Sequence, residues 1–268
     1  MFIDTHCHLN IMTGKAPEAR LTRDDFSHIA QIIDAAQDAG VGKIVNVGTS
    51  LSESLNSVEI AQRFESVFAT VGIHPCDATE RWYDDFKELV SLVKDKQRNK
   101  IVGIGETGLD FYHKPFFVQR QKDAFKAHIE LALEYALPLV VHVREAGDEV
   151  LRIMEEYVPS GVRGVIHCFS QTQAFADQVI AWGFYIGIDA PITYPKNELL
   201  RSVVKHVPLS HLVIETDAPF LPPQQFRGQH NHPAYIPLFA PAIGEQQGVR
   251  VDVIEEMTTV NAEKLFGI

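Results

Sequence analysis

A single-domain α/β fold, a (β/α)8 TIM barrel spanning residues 1–268, is what the sequence predicts, on three observations. Short β-branched apolar runs alternate with longer segments of helical period. Eight such units fill the chain, and roughly 250 residues is the usual size of this barrel. The turn after the first run reads Thr5-His6-Cys7-His8, without the glycines that a doubly wound nucleotide-binding sheet needs there.

The first strand is predicted over 2–9, and a helix over 24–39 follows it and stops at Gly40. A strand over 43–49 leads into a helix over 52–65 with Ser52 as its cap, then a strand over 67–74 and a helix over 79–97. The fourth and fifth units are strand 101–107 with helix 117–136 and strand 137–143 with helix 146–157. Strand 163–169 precedes a helix over 172–182, capped by Thr172 and ended by Gly183; strand 184–189, helix 197–206 and strand 211–216 come next. Residues 221–234, rich in Pro, Gln and His, read as a long loop before helices over 235–246 and 250–265. Strands separated by helices imply parallel pairing with right-handed crossovers.

With 24 Lys and Arg against 35 Asp and Glu, the formal charge is −11, which gives no electrostatic footprint for nonspecific duplex binding. No stretch approaches the roughly 18–20 apolar residues of a membrane span, and Met1-Phe2-Ile3-Asp4 lacks the basic and apolar regions of a signal peptide. Three cysteines, Cys7, Cys76 and Cys168, argue against a disulfide framework. The expectation is a cytoplasmic monomer with no membrane and no stable protein partner.

In a parallel barrel the chemistry sits at the C-terminal strand ends. Five predicted strands end in ligand-type residues: His6-x-His8, Glu106, His142, His167 and Asp217. His6 and His8 share a face of an extended strand, although with twelve histidines roughly half such a spacing arises by chance. The second pair, His230-x-His232, lies in a polar loop and reads as solvated. Any one of these residues alone is more simply a satisfied, partly buried group. Together, a barrel makes them neighbours, and burying the carboxylates without a cation is costly. Six ligands exceed the need of one tetrahedral ion, so two divalent cations are expected, with Glu106 able to bridge them, and hydrolysis through a metal-bound hydroxide as the reaction class. Imidazoles suit Zn2+; carboxylates and phosphoryl chemistry suit Mg2+ or Mn2+.

Around these ligands, Arg144 shares a face with His142 and is placed to grip a phosphate oxygen or to form a rim salt bridge. Asp4 shares a face with His6 and is expected to orient its ring; Glu215 is expected either to support the site from behind or to form a structural ion pair. Cys7 and Cys168 are expected to point away from their neighbouring ligands, as packing residues.

The stretches FIDTHCHL (2–9), VGIHP (71–75), GIGETGLDFY (103–112), LPLVVHVREA (137–146), HCFS (167–170) and ETDAPFL (215–221) resemble, in order, those of the TatD-type metal-dependent deoxyribonucleases of the amidohydrolase-like barrel superfamily. The resemblance implies that His6, His8, Glu106 and Asp217 hold one ion and Glu106, His142 and His167 the other. It also implies that His74 faces the reacting phosphate and that Asp217 orients the attacking water and accepts its proton. The chain departs from the family pattern at Gln171, commonly Gly, and at His230-Asn231-His232-Pro233, commonly an Arg-Asn-Glu-Pro-like segment. Both departures bear on substrate preference.

The function expected is therefore a deoxyribonuclease trimming single-stranded DNA ends, 3′ to 5′ by resemblance, with Glu106 and Asp217 as catalytic residues. The alternatives are a small-molecule or aminoacyl-tRNA ester or amide hydrolase of the same superfamily, and a non-catalytic metal-binding scaffold. Many such hydrolases bridge their ions with a carboxylated lysine at the end of strand four, where this chain has Glu106; Lys100 precedes that strand. Two ions add four positive charges at the point of chemistry, so the −11 balance predicts short, metal-anchored contact with a strand end that salt weakens little.

Overall fold

Eight strands pair in parallel and in chain order: β1 (Phe2–Cys7), β2 (Val41–Val47), β3 (Val67–Val71), β4 (Ile101–Asp110), β5 (Leu139–Arg144), β6 (Gly164–Ile166), β7 (Tyr185–Ile188) and β8 (Leu212–Ile214). They are seen in a computed structural model, which describes residues 1–16 and 19–268. The sheet closes through Asp217, whose N–H donates to the His6 carbonyl at 2.8 Å, and through His8, whose N–H donates to Ala218 at 2.8 Å. The seam of the barrel thus sets Asp217 beside His6 and His8.

Between the strands run α1 (Arg23–Asp38), α2 (Leu51–Arg63), α3 (Trp82–Lys94), α4 (Val118–Tyr135), α5 (Gly147–Tyr157), α6 (Gln173–Ala181), α7 (Glu198–His206) and α8 (Ile236–Gln247), with α9 (Val251–Phe266) last. Gly40 and Gly183 follow α1 and α6 with φ of 91° and 83°, a left-handed backbone that suits glycine. Thr172 caps α6 by accepting from the Phe175 N–H at 3.3 Å. The cap of α2 is Ser50 rather than Ser52: Ser50 is extended and accepts from the Glu53 N–H at 3.3 Å, while Ser52 lies inside the first turn. No helix among the described residues is long and apolar enough to cross a membrane.

Most apolar side chains form a layer between strands and helices. A second cluster fills the barrel from its N-terminal end: Ile3, Val102, Val140, Val165 and Val213, each second in its strand, and Val45 of β2 cluster with Ala262, Leu265 and Phe266 of α9. The last helix therefore plugs the bottom, and the upper interior is left to polar residues.

Strand limits differ from the sequence reading where the backbone turns. β5 starts after Pro138, which has no N–H to give to the sheet. β6 and β8 stop early because Cys168 (φ 45°) and Asp217 (φ 54°) are left-handed. β4 runs three residues further than expected, to Asp110.

Candidate metal centre

His6, His8, His74, Glu106, His142, His167 and Asp217 converge above the apolar plug. The Glu106 carboxylate is buried at their centre and turns its two oxygens to different groups. Oε2 lies 3.4 Å from His6 Nε2 and 3.9 Å from His8 Nε2. Oε1 lies 2.8 Å from His167 Nε2, 2.9 Å from His142 Nδ1 and 3.4 Å from His74 Nε2. Asp217 Oδ1 joins the first group, 3.6 Å from His6 Nε2 and 3.3 Å from His8 Nε2, which are themselves 3.1 Å apart.

These separations suit a shared cation. Ligands at about 2.0–2.1 Å from one tetrahedral ion stand about 3.3 Å apart, and the separations in the first group run from 3.1 to 3.9 Å. Hydrogen bonding leads to the same conclusion. His8 Nδ1–H donates to the Val47 carbonyl at 3.0 Å, which leaves a bare Nε2 lone pair facing the Asp217 oxygen. Two acceptors face each other there, so a positive charge belongs between them.

The titration of these groups reflects the same field. Burial disfavours the Glu106 carboxylate, but the imidazoles of His167 and His74 and bonds from His142 and His167 outweigh it and hold the group well below the usual carboxylate range. Burial likewise opposes ionisation of Asp217, and His8 and His6 keep it low. Burial lowers the imidazoles of His8, His142 and His167, yet their carboxylate partners raise all three. His6, buried and beside His167, is lowered.

His74 differs from the other four. Its Nδ1 accepts from the Cys76 N–H at 3.1 Å, so in the neutral ring Nε2 carries the proton and points it at Glu106. Burial and the neighbouring His142 push its pKa down to about 3 and keep it neutral. Although His74, Glu106 and His142 are close enough to share an ion, the proton on His74 Nε2 makes it a donor to an oxygen rather than a ligand. Buried His128 fixes this segment: its Nδ1–H donates to Ala124 at 2.7 Å and its Nε2 accepts from the Ile73 N–H at 3.1 Å.

Supporting residues are only partly those the sequence suggested. Asp4 does not reach the His6 ring: its carboxylate takes the Thr216 N–H at 3.0 Å, the Thr216 hydroxyl at 2.6 Å and the His6 backbone N–H at 3.3 Å. It therefore ties β1 to the end of β8, and burial lifts its pKa to about 8. Glu215 accepts from the Cys168 N–H at 2.5 Å and lies 3.7 Å from His167 Nδ1. Gly187 makes room for it, since a Cβ there would overlap the Glu215 carboxylate. Cys7 is buried in the core, as expected, but Cys168 lines the cavity: its left-handed backbone breaks the alternation, and its Sγ meets the buried Asp189 at 3.1 Å.

Asp110 was missed by the sequence reading. Its Oδ2 lies 3.1 Å from His142 Nε2 and 2.7 Å from His113 Nδ1, and Oδ1 accepts the N–H groups of Tyr112 and His113. The signal was its alternation with Glu106, readable only if β4 extends beyond 107. A cavity of about 550 Å³ opens over the centre, with Glu53, His113, Arg144 and Phe220 also on its wall. Arg144 stands at the exposed rim, its guanidinium 4.8 Å from the Tyr112 ring centroid.

A family model described as TatD related DNase matches residues 3–267. The chain belongs to the TatD related DNase family. It is 32% identical over 268 residues to the uncharacterized metal-dependent hydrolase YabD of Bacillus subtilis (strain 168), covering 100% of both chains. To the 3′-5′ ssDNA/RNA exonuclease TatD of Citrobacter rodentium (strain ICC168) it is 32% identical over 243 residues, 89% of this chain and 91% of that one. The crystal structure of YJJV, a TatD homolog from Escherichia coli K12, superposes with a TM-score of 0.89 at 27% identity, covering 100% of this chain and 98% of that one. The fold and the sequence thus place the centre in a TatD-family metal-dependent hydrolase.

Proposed function

We propose that the chain is a phosphodiesterase that trims single-stranded DNA ends with two divalent cations. The observation that carries this reading is Glu106, whose two oxygens face two separate sets of ligands. His6, His8 and Asp217 would hold one cation with Oε2, and His142 and His167 the other with Oε1. Bound cations would supply Lewis-acid stabilisation of charge on phosphoryl oxygens and activation of water. Asp217, kept ionised, would accept the proton of the attacking water at Oδ1. His74 would donate Nε2–H to a phosphate oxygen, and Arg144 would hold another from the rim.

Lys100 supports a bridging role for Glu106 over a carboxylated lysine. Its Nζ donates to the carbonyls of Phe64 and Glu65 at 2.8 and 2.9 Å, ahead of β4 and away from the ligands. The family assignment and the exonuclease name of the Citrobacter relative support DNA ends as substrate.

The test is purified protein with Mg2+, Mn2+ or Zn2+, assayed on end-labelled single-stranded DNA, RNA and a small phosphodiester side by side. Stepwise shortening of the DNA is expected. Cleavage of the small ester alone would remove DNA as the substrate.

A further inference from the structure

We propose that the loop from β4 to α4, together with Arg144, is a stacking platform for the nucleotides that follow the terminal one of a single strand. It rests on the nuclease reading of the centre beside it and names the part of the substrate that the centre itself does not touch.

Exposed aromatic rings are few and unevenly placed. Of the four among the exposed large hydrophobics, Tyr83, Tyr112, Phe117 and Phe220, the last lines the cavity and two more lie on this loop. Tyr112 is 50% and Phe117 56% exposed. Each has an arginine against its ring: Arg144 lies 4.8 Å from the Tyr112 centroid and Arg120 4.4 Å from that of Phe117. The segment FYHKPFFVQR, 111–120, contains His113, Lys114 and Arg120 and no carboxylate, in a chain with 35 acidic residues. Two of the three are engaged, Arg120 at 3.6 Å from the exposed Glu80 and His113 Nδ1 at 2.7 Å from Asp110, which leaves Lys114 at the tip of the loop and Arg144 beside it to meet phosphates.

The loop is also held in place. Phe111 stacks on Phe116 at 5.6 Å between centroids, closing its base, and the Phe111 N–H donates to the Arg144 carbonyl at 2.9 Å. Asp110 takes the N–H groups of Tyr112 and His113 on the same carboxylate that meets His142, so the platform and the metal centre share one anchor. Rigid, half-exposed rings interleaved with cations are the means by which proteins hold single strands without reading sequence: bases stack on the rings and cations meet the phosphates. A duplex keeps its bases stacked on each other and offers them nothing.

The test is fluorescence anisotropy of labelled dT8 on the full-length protein in EDTA, so that turnover does not intervene. Tyr112→Ala with Phe117→Ala should weaken dT8 binding by about tenfold or more, and Tyr112→Trp with Phe117→Trp should restore it; binding to a blunt duplex of the same length should not respond. No binding of dT8 to the wild type, or an affinity within about twofold of wild type in the double alanine variant, overturns the platform. With Mg2+ or Mn2+ added, loss of dT8 affinity in a protein that cleaves no phosphodiester removes the nuclease reading and leaves the platform. Cleavage with unchanged dT8 affinity in the double alanine variant does the reverse.

Discussion

His142 stands between two carboxylates, with Nε2 3.1 Å from Asp110 Oδ2 and Nδ1 2.9 Å from Glu106 Oε1. A proton on Nε2 given to Asp110 leaves the Nδ1 lone pair facing the centre, the arrangement in which a carboxylate fixes the tautomer of a ligating histidine. Asp110→Asn should therefore lower metal affinity about 10- to 100-fold without abolishing turnover at saturating metal. A metal titration followed by activity reads this directly. Unchanged affinity would mean that Asp110 merely anchors the loop through Tyr112 and His113.

Glu106 and Asp217 should behave differently from Asp110. Their oxygens stand where ligands of the centre meet, so Glu106→Gln and Asp217→Asn should each abolish turnover while circular dichroism shows the fold retained. A cation that binds the native state raises stability by RT ln(1 + [L]/Kd), about 2.7 kcal/mol at a hundredfold excess over Kd. The rise in Tm on adding Mn2+ or Zn2+ to wild-type protein should shrink in both variants. Wild-type activity in either would end the proposed mechanism.

His74 tests the tautomer argument. A ring whose Nδ1 accepts from the Cys76 N–H has its proton on Nε2 and no lone pair for an ion. His74→Gln should leave the number of bound cations unchanged, by elemental analysis, and reduce kcat by about 100- to 1000-fold, the usual range for loss of one transition-state donor. His167→Gln should reduce the bound metal. If both variants lose metal equally, His74 is a ligand.

The barrel was legible because each apolar run was bounded by polar or glycine residues, and because His6, Glu106, His142, His167 and Asp217 each fell at a run's end. Alternation carried no further than the regular backbone. Past β6 and β8 the backbone is left-handed at Cys168 and Asp217, so extended-strand alternation no longer says which side these residues face, and Cys168 lines the cavity against expectation. Asp4 was paired with the His6 ring by spacing alone, whereas closure of the barrel set Thr216 within 2.6 Å of it, a partner 212 residues away. Asp110 escaped because the strand seemed to end before it. His74 was placed through resemblance, and its protonation rests on the Cys76 N–H, which spacing does not reveal.

His128 gives the fold a measurable acid response. Burial pushes its pKa down to about 4, although the Ala124 carbonyl favours the charged form, and in an unfolded chain the ring titrates near 6.5. Between these values the unfolded state binds the extra proton, so stability from this group is fully present above about pH 6.5 and is lost as pH falls toward 4, with no further loss below. The span corresponds to about 3 kcal/mol. His128→Gln can retain both bonds, accepting from Ile73 and donating to Ala124, but cannot titrate. Urea unfolding of both proteins at intervals from pH 4 to 7.5 should show the wild type losing stability more steeply on the acid side, with the curves running parallel above pH 7. Curves parallel over the whole range would mean that His128 is charged in the fold, at odds with its acceptance of the Ile73 N–H.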